Sequence, residues 1–228
     1  MLMRTIIYCG PSLSRTRLNE ITDADIAPPI RRGDLESNGG YEVYVILDGE
    51  FSQSLSVSPK EILQVLDRGK VVIGAASMGA LRAAEMAPCG MIGVGWIYER
   101  FAAAAVRRED DVALAYSPLD GAPCSVPMVN IEYWTETLEA KGHLSRKERA
   151  LAVRAARRVF FADRTKARLM SALEQALGRN RLDSLLDLTG GEITDIKAAD
   201  AELAIRFAAN LRTETSSSEQ SRTLEISA

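Results

Sequence analysis

Ser77 is the residue of this chain best placed by its neighbours to do chemistry. It stands in Val71-Val72-Ile73-Gly74-Ala75-Ala76-Ser77-Met78-Gly79-Ala80-Leu81-Arg82-Ala83-Ala84-Glu85-Met86. The segment reads as a β-branched strand, a turn of small residues and an Ala/Leu/Met-rich helix. A serine at such a turn projects from the carboxyl end of a sheet, where the next helix points its amino terminus. This is a nucleophile-elbow layout with alanine in place of the first glycine of G-x-S-x-G. The same residue type also caps helices, so the segment alone leaves nucleophile and cap both open.

A serine nucleophile needs a base. The single histidine, His143, sits in a polar turn, and the three cysteines (Cys9, Cys89, Cys124) lack metal-ligand spacing. Neither a histidine triad nor a metal centre is expected. Lysine is the alternative base. Of the six lysines, Lys70 precedes the strand and so lies at its amino end, whereas Lys60 opens a helix that starts at the carboxyl edge. Lys60 is the better candidate. Met78 and Gly79 would offer backbone N–H groups to an oxyanion. Arg82 and Glu85 are spaced as a local i,i+3 pair, and Arg82 is also a candidate for an anionic substrate end.

These residues need a scaffold. Residues 4–9, 43–47 and the elbow strand alternate with helices, one of them about 59–68 with Ser58 as cap and Pro59 in its first turn. The expectation is an α/β fold: a mostly parallel sheet with flanking helices, followed by a helical C-terminal region. Strand ends gather the loops, which brings Ser12 (in Gly10–Ser14) and Asp48 to the same edge as Ser77. Residues 26–40 read as a loop in which Arg32 and Asp34 form a charged pair across Gly33. Gly93-Val94-Gly95 is a fragment of a dinucleotide fingerprint, better read as an ordinary turn. A helix is expected from Trp96 to Val106 and a strand from Val112 to Tyr116. Three parts follow: an α/β core over 1–127, a helical region over 128–212 packed on it, and a disordered tail over 213–228.

The composition, 46% hydrophobic and 26% charged with net charge −3, is that of a soluble globular protein. No run of apolar residues suits a membrane span, the start has no signal-peptide plan, and the odd, scattered cysteines suit the cytoplasm. Residues 146–168 carry nine Lys/Arg against two acids. That is a positive face for solvent or an acidic protein; nucleic acid is not the expected partner.

Taken together, several motifs resemble the TfuA-like protein family. They are Gly10-Pro11-Ser12-Leu13-Ser14, Pro28-Pro29 with Arg32-Gly33-Asp34, Leu47-Asp48-Gly49 with Phe51, and Lys60-Glu61-Ile62-Leu63. The likeness continues through Gly74–Glu85, Gly90–Gly95 and Asp110-Asp111-Val112-Ala113-Leu114, covering roughly 5–135, and is looser at Asp195-Ile196-Lys197. The resemblance implies a companion of YcaO enzymes in peptide backbone thioamidation. It implies a hydrolase with a Ser–Lys pair, Ser77 and Lys60, that releases sulfide from a thiocarboxylated, ThiS-like ubiquitin-fold carrier protein. It further implies help in presenting the peptide substrate to YcaO, with no cofactor. Ser12, Arg32, Asp34, Asp48 and Arg82 are then the substrate-binding candidates, Arg32 and Arg82 because a thiocarboxylate is anionic. Pro59 stands where most relatives carry a histidine. The other readings are a non-catalytic adaptor for YcaO and a cysteine-based sulfurtransferase; for the latter, neither Cys9 nor Cys124 is expected to be an exposed thiolate.

Overall fold

The computed structural model describes residues 3–51, 55–104, 108–117, 119 and 121–226, with side chains as far as Leu211. The chain divides into two compact units. Unit 1 comprises Met1–Arg107 with Ala198–Ala228, and unit 2 comprises Arg108–Lys197.

Unit 1 is built on strands β1 (Thr5–Tyr8), β2 (Asp25–Ala27), β3 (Val43–Ile46), β4 (Val71–Gly74) and β5 (Ile92–Gly93). They form one parallel sheet in the order β2-β1-β3-β4-β5. Tyr8, Ile46, Gly74 and Gly93 are paired in one row across the sheet, so the loops after β1, β3 and β4 leave from the same level. The helices are α1 (Arg15–Ile21), α2 (Asp34–Ser37), α3 (Pro59–Asp67), α4 (Met78–Met86), α5 (Trp96–Ala103) and the part of α10 (Ile196–Ile226) from Ala198 onward.

Both faces of the sheet are covered, which is why its strands read as continuous apolar runs rather than alternating ones. Ile6, Tyr8, Tyr44, Ile46 and Val72 pack with Leu35 of α2, Ile62 and Val65 of α3, and Met78 and Ala83 of α4. Ile7, Val43, Val45, Leu47 and Ile73 on the other face pack with Leu18 of α1 and with Ala201, Ala204, Ile205 and Ala208 of α10. The spacing of the last four is one stripe of a helix. The chain leaves β1 toward one face and β3 toward the other, and such a switch point opens a crevice at the carboxyl ends of the two strands.

Two glycines set the fit of α4 against the sheet. A Cβ on Gly79 would stand 1.7 Å from the Ile46 carbonyl oxygen, and one on Gly74 would stand 2.1 Å from the Gly79 oxygen. No larger residue fits without moving backbone.

Several local expectations change. The segment 26–40, read as loop, holds the end of β2 and all of α2. The first is a three-residue edge strand beginning at Asp25, and the second a single turn capped by Gly33 with no side-chain bond, so neither has enough residues to show a period. No strand forms over 112–116. Glu109–Asp111 is a 3-10 turn, and only Tyr116 makes a bridge, to Pro123. The bonds a ladder would use go elsewhere: Val112 O accepts from Lys197 Nζ at 3.0 Å, and Ala115 N donates to Ser125 Oγ at 2.8 Å. α5 ends at Ala103, and residues 105 and 106 of the expected helix lie outside the described residues.

Gly95 caps α5 with φ 94°, and the helix amino terminus is filled by the chain's own carboxylate. Asp200, 3% exposed, accepts the N–H groups of Trp96 at 3.0 Å and Ile97 at 2.8 Å. A Cβ on Gly95 would lie 2.3 Å from the Asp200 carboxyl carbon.

Unit 2 packs α6 (Met128–Ala140), α7 (Arg146–Arg157), α8 (Lys166–Leu177) and α9 (Arg179–Asp187) around Trp134, Leu138, Ala152, Leu169, Leu173 and Leu185. Arg157 bridges the buried carboxylates of Asp111 and Glu132, and Arg164 is buried on the carbonyls of Val126, Ala156 and Val159. Among the described residues, no helix is long and apolar enough to cross a membrane.

Two predictions follow from unit 1. Gly79→Ala should cost at least about 3 kcal/mol in urea unfolding, the upper range for overpacking; a loss under about 1 kcal/mol would refute the close approach. Burial raises the Asp200 carboxyl from 3.8 to about 6, against its two amide bonds and with a small push from Glu99. The folded state therefore holds this proton more tightly than the unfolded chain. Its contribution to stability is complete below about pH 4 and is lost as pH rises through about 6. Unfolding free energies measured across that window should fall with pH, and Asp200→Asn should flatten the fall. An unchanged slope in the variant counts against the assignment.

Candidate active site

The crevice between β1 and β3 is closed by Asp48, the second residue after β3. Its carboxylate, 2% exposed, accepts Gly10 N–H at 2.8 Å, Ser12 N–H at 2.9 Å and Ser12 Oγ–H at 2.6 Å. Three charge-assisted bonds thus tie the loop after β1 to the end of β3, where the two chain directions diverge. Ser12 and Asp48 come together as the sequence suggests, and what they do here is hold two loops.

The turn after β4 is strained. Ala76 has φ 63°, the one described non-glycine residue with positive φ, and Ser77 N–H donates to Ala75 O at 2.7 Å, closing a three-residue turn around it. A methyl-bearing residue in that region is uncommon, and strain of this kind persists only where the surroundings enforce it. Here the enforcing contacts are those of Gly74 and Gly79. Ser77 occupies the N-cap position of α4 with φ −139° and ψ −117°, and its side chain makes no cap bond. Ser14, Ser58, Ser145 and Thr165 occupy the same position on α1, α3, α7 and α8, and each does cap its helix. Ser77 is 1% exposed.

The amides beside it divide. Met78 N–H has no hydrogen-bond partner among the described residues. Gly79 N–H donates to Leu47 O at 3.3 Å, and Ala80 N–H turns back to Ser77 O at 3.0 Å. Of the two amides expected to hold an oxyanion, only that of Met78 is open.

Lys60 sits in the first turn of α3, directly after Pro59. Ser58 caps this helix, and Glu61 answers with bonds from Ser58 N–H at 2.9 Å and Ser58 Oγ–H at 2.7 Å. Glu61 also accepts Gly33 N–H at 2.5 Å, joining α3 to the start of α2. Burial pushes the Glu61 carboxyl up, but the bonds from Gly33 and Ser58 outweigh it and hold it below the usual carboxylate range. Lys60 itself is exposed, with no hydrogen bond or ion pair among the described residues, and no hydrogen bond joins it to Ser77.

Arg82 is spent on structure. Its side chain, 14% exposed, donates from Nε to Val57 O at 2.9 Å, from Nη2 to Ser56 Oγ at 2.9 Å and from Nη1 to Glu85 at 2.7 Å. It fastens the residues that precede α3 onto α4, and so links the helix carrying Lys60 to the helix that follows Ser77. Sequence reasoning named Arg82 as a pair with Glu85 but missed this bracket, and missed Glu61 as its counterpart. The S-x-x-E spacing of Ser58 and Glu61 was the available signal for the second; nothing in the spacing announces the first.

The charged pair expected between Arg32 and Asp34 is not made. Gly33, at φ 91°, starts α2, and the Asp34 carboxylate turns back to accept Arg31 N–H at 2.7 Å. Arg32 donates its backbone N–H to Leu55 O at 2.7 Å, while its side chain is exposed. Cys9 is buried, whereas Cys89 and Cys124 are exposed, which corrects the expectation for Cys124. Among the described residues no three His, Cys, Asp or Glu side chains converge as a metal site.

Comparison with curated proteins finds no match. A family model described as TfuA-like protein matches residues 48–165, a span that begins at Asp48 and holds Lys60, Ser77, Met78, Gly79 and Arg82 but not Ser12, Arg32 or Asp34. The match covers more than half of the sequence, and the chain therefore belongs to the TfuA-like protein family.

Proposed function

We propose that the protein is an accessory hydrolase that frees sulfide from a thiocarboxylated, ubiquitin-fold carrier protein for YcaO-dependent thioamidation of a peptide backbone. Family membership supports association with thioamidation systems. The observation that carries the catalytic part is the turn at Ser77: a serine after a strained, non-glycine residue, in a cap position where it does not cap.

In this reading the neutral amine of Lys60 takes the Ser77 proton, and Oγ attacks the carbonyl carbon of the carrier's C-terminal thiocarboxylate. The Met78 N–H faces the charge that develops on oxygen. The tetrahedral species collapses, the C–S bond breaks, and sulfide leaves as HS⁻ with the proton returned by the Lys60 ammonium. Water then attacks the acyl-serine with Lys60 again as base, giving the carrier carboxylate and free Ser77. Lys60 has no described ion pair to break before it turns toward the serine. The freed sulfide would serve the YcaO partner, which holds the peptide substrate.

One observation favours a second reading, an adaptor that recruits carrier or peptide to YcaO without chemistry of its own. Ser77 is 1% exposed, and Lys60 does not contact it through a hydrogen bond.

Sulfide release from a thiocarboxylated carrier separates the two. Ser77→Ala and Lys60→Ala should each reduce it at least about a hundredfold while far-UV circular dichroism stays that of the parent. A serine-directed acylating reagent should label Ser77, which an adaptor would leave unlabelled. Replacing Cys9, Cys89 and Cys124 with serine should leave release intact; its loss would point to a persulfide carrier. Undiminished release in both Ser77 and Lys60 variants overturns the mechanism.

A further inference from the structure

The run of nine basic residues between Arg146 and Arg168 is not one positive face. Arg149 is held by Glu136 and Glu139, Arg157 by Asp111 and Glu132, Arg164 by three carbonyls, Lys166 by Glu192 and Arg168 by Asp163. The others, Arg146, Lys147, Arg154 and Arg158, are exposed and have no hydrogen bond or ion pair among the described residues.

Three of these lie on a single line. Lys147, Leu151, Arg154 and Arg158 follow i, i+4, i+7, i+11 spacing along α7 and its C-cap, all on the side away from the buried Ala152 and Ala156. Leu151 is 38% exposed in the middle of the line, and just beyond its end Phe160 is 62% exposed, its ring 4.5 Å from that of Phe161. Arg158 and Phe160 also line an open pocket of about 470 Å³ with Asp163, Arg168, Ser171 and Gln175. Asp163 is paired with Arg168 at 2.9 Å, which makes Arg158 the uncompensated charge at its mouth.

We infer that this face of unit 2 docks an extended acidic segment of a partner protein that carries one aromatic or large aliphatic side chain. The charge of the face decides the sign of the partner. Its three cations span about 16 Å of helix, the reach of about five residues of extended chain. The apolar pieces decide its class. Leu151 and Phe160 interrupt and extend the cations, and the pocket beside Phe160 has the volume to take a side chain, as peptide grooves do. A polynucleotide would gain little from this alternation. Unit 2 as a whole carries as many acids as bases, so it offers no broad positive field to a phosphate backbone. The inference goes beyond the chemistry at Ser77 and does not depend on it.

Fluorescence anisotropy on the full chain tests it, with a labelled peptide of alternating glutamate and aspartate bearing one phenylalanine. The comparison ligands are the same peptide with serine for phenylalanine and a single-stranded oligonucleotide of equal charge. The parent should bind the phenylalanine peptide best. Arg154→Glu with Arg158→Glu should weaken it at least about tenfold, as reversal of two surface contacts allows. Phe160→Ser should weaken the phenylalanine peptide several-fold and leave the serine peptide unchanged, a readout that general loss of charge would not give. Binding indifferent to the arginine reversals overturns the site. So do equal binding of both peptides, absence of binding, and tighter binding of the oligonucleotide. Retained far-UV circular dichroism and an unchanged urea-unfolding midpoint in the variants keep a folding defect from passing as a result.

Discussion

The first turn of α4 lies so close to β3 and β4 that backbone meets backbone, with Gly79 against the Ile46 carbonyl and Gly74 against Gly79 itself. That approach leaves the chain only Ala75, Ala76 and Ser77 in which to reverse from strand to helix, and it drives Ala76 into positive φ. The position of Ser77, the open amide of Met78 and the diversion of the Gly79 amide to Leu47 all descend from it. Packing density at one junction thus sets the polar geometry of the site.

Around this junction charged side chains serve as fasteners. Asp48 gathers the loop after β1, Glu61 joins α3 to α2, and Arg82 ties the approach to α3 onto α4. Asp48 and Glu61 each accept two backbone N–H groups, and Arg82 donates to one backbone carbonyl and two side chains; an ion bonded in this way is among the stronger local constraints available. The cost is that these ions cannot at once be ligands for a substrate. Arg82 is the plainest example, since its three nitrogens are committed.

The sequence was most readable where a period or a cap had room to appear. Apolar strand runs and the Ser58–Pro59 helix start were enough for an α/β fold with a parallel sheet, and the sheet has that form. Short elements escaped: β2 has three residues and α2 four, below the length at which either period repeats. The apolar stretch Val112–Tyr116 misled because two of its backbone bonds go to side chains, that of Ser125 ten residues on and that of Lys197 eighty-five residues on. At the site, residue identity was visible and commitment was not. Nothing local to Arg82 tells that its guanidinium reaches Ser56 and Val57, and nothing local to residues 146–168 tells which cations have buried partners.

The division of unit 1 has a bearing on how the chain acquires its structure. The strands are complete by Gly93, but one face of the sheet is covered by Ala201, Ala204, Ile205 and Ala208, which follow all of unit 2. During synthesis from the amino end, the apolar side chains of Val43, Val45 and Ile73 therefore wait without their cover while the intervening ninety or so residues emerge. The salt bridge of Arg17 with Glu202 and the bonds of Asp200 to α5 form only at that last stage. Closure of the sheet is a late, long-range event, and a nascent chain interrupted before α10 would present a sheet face covered only in part, by α1.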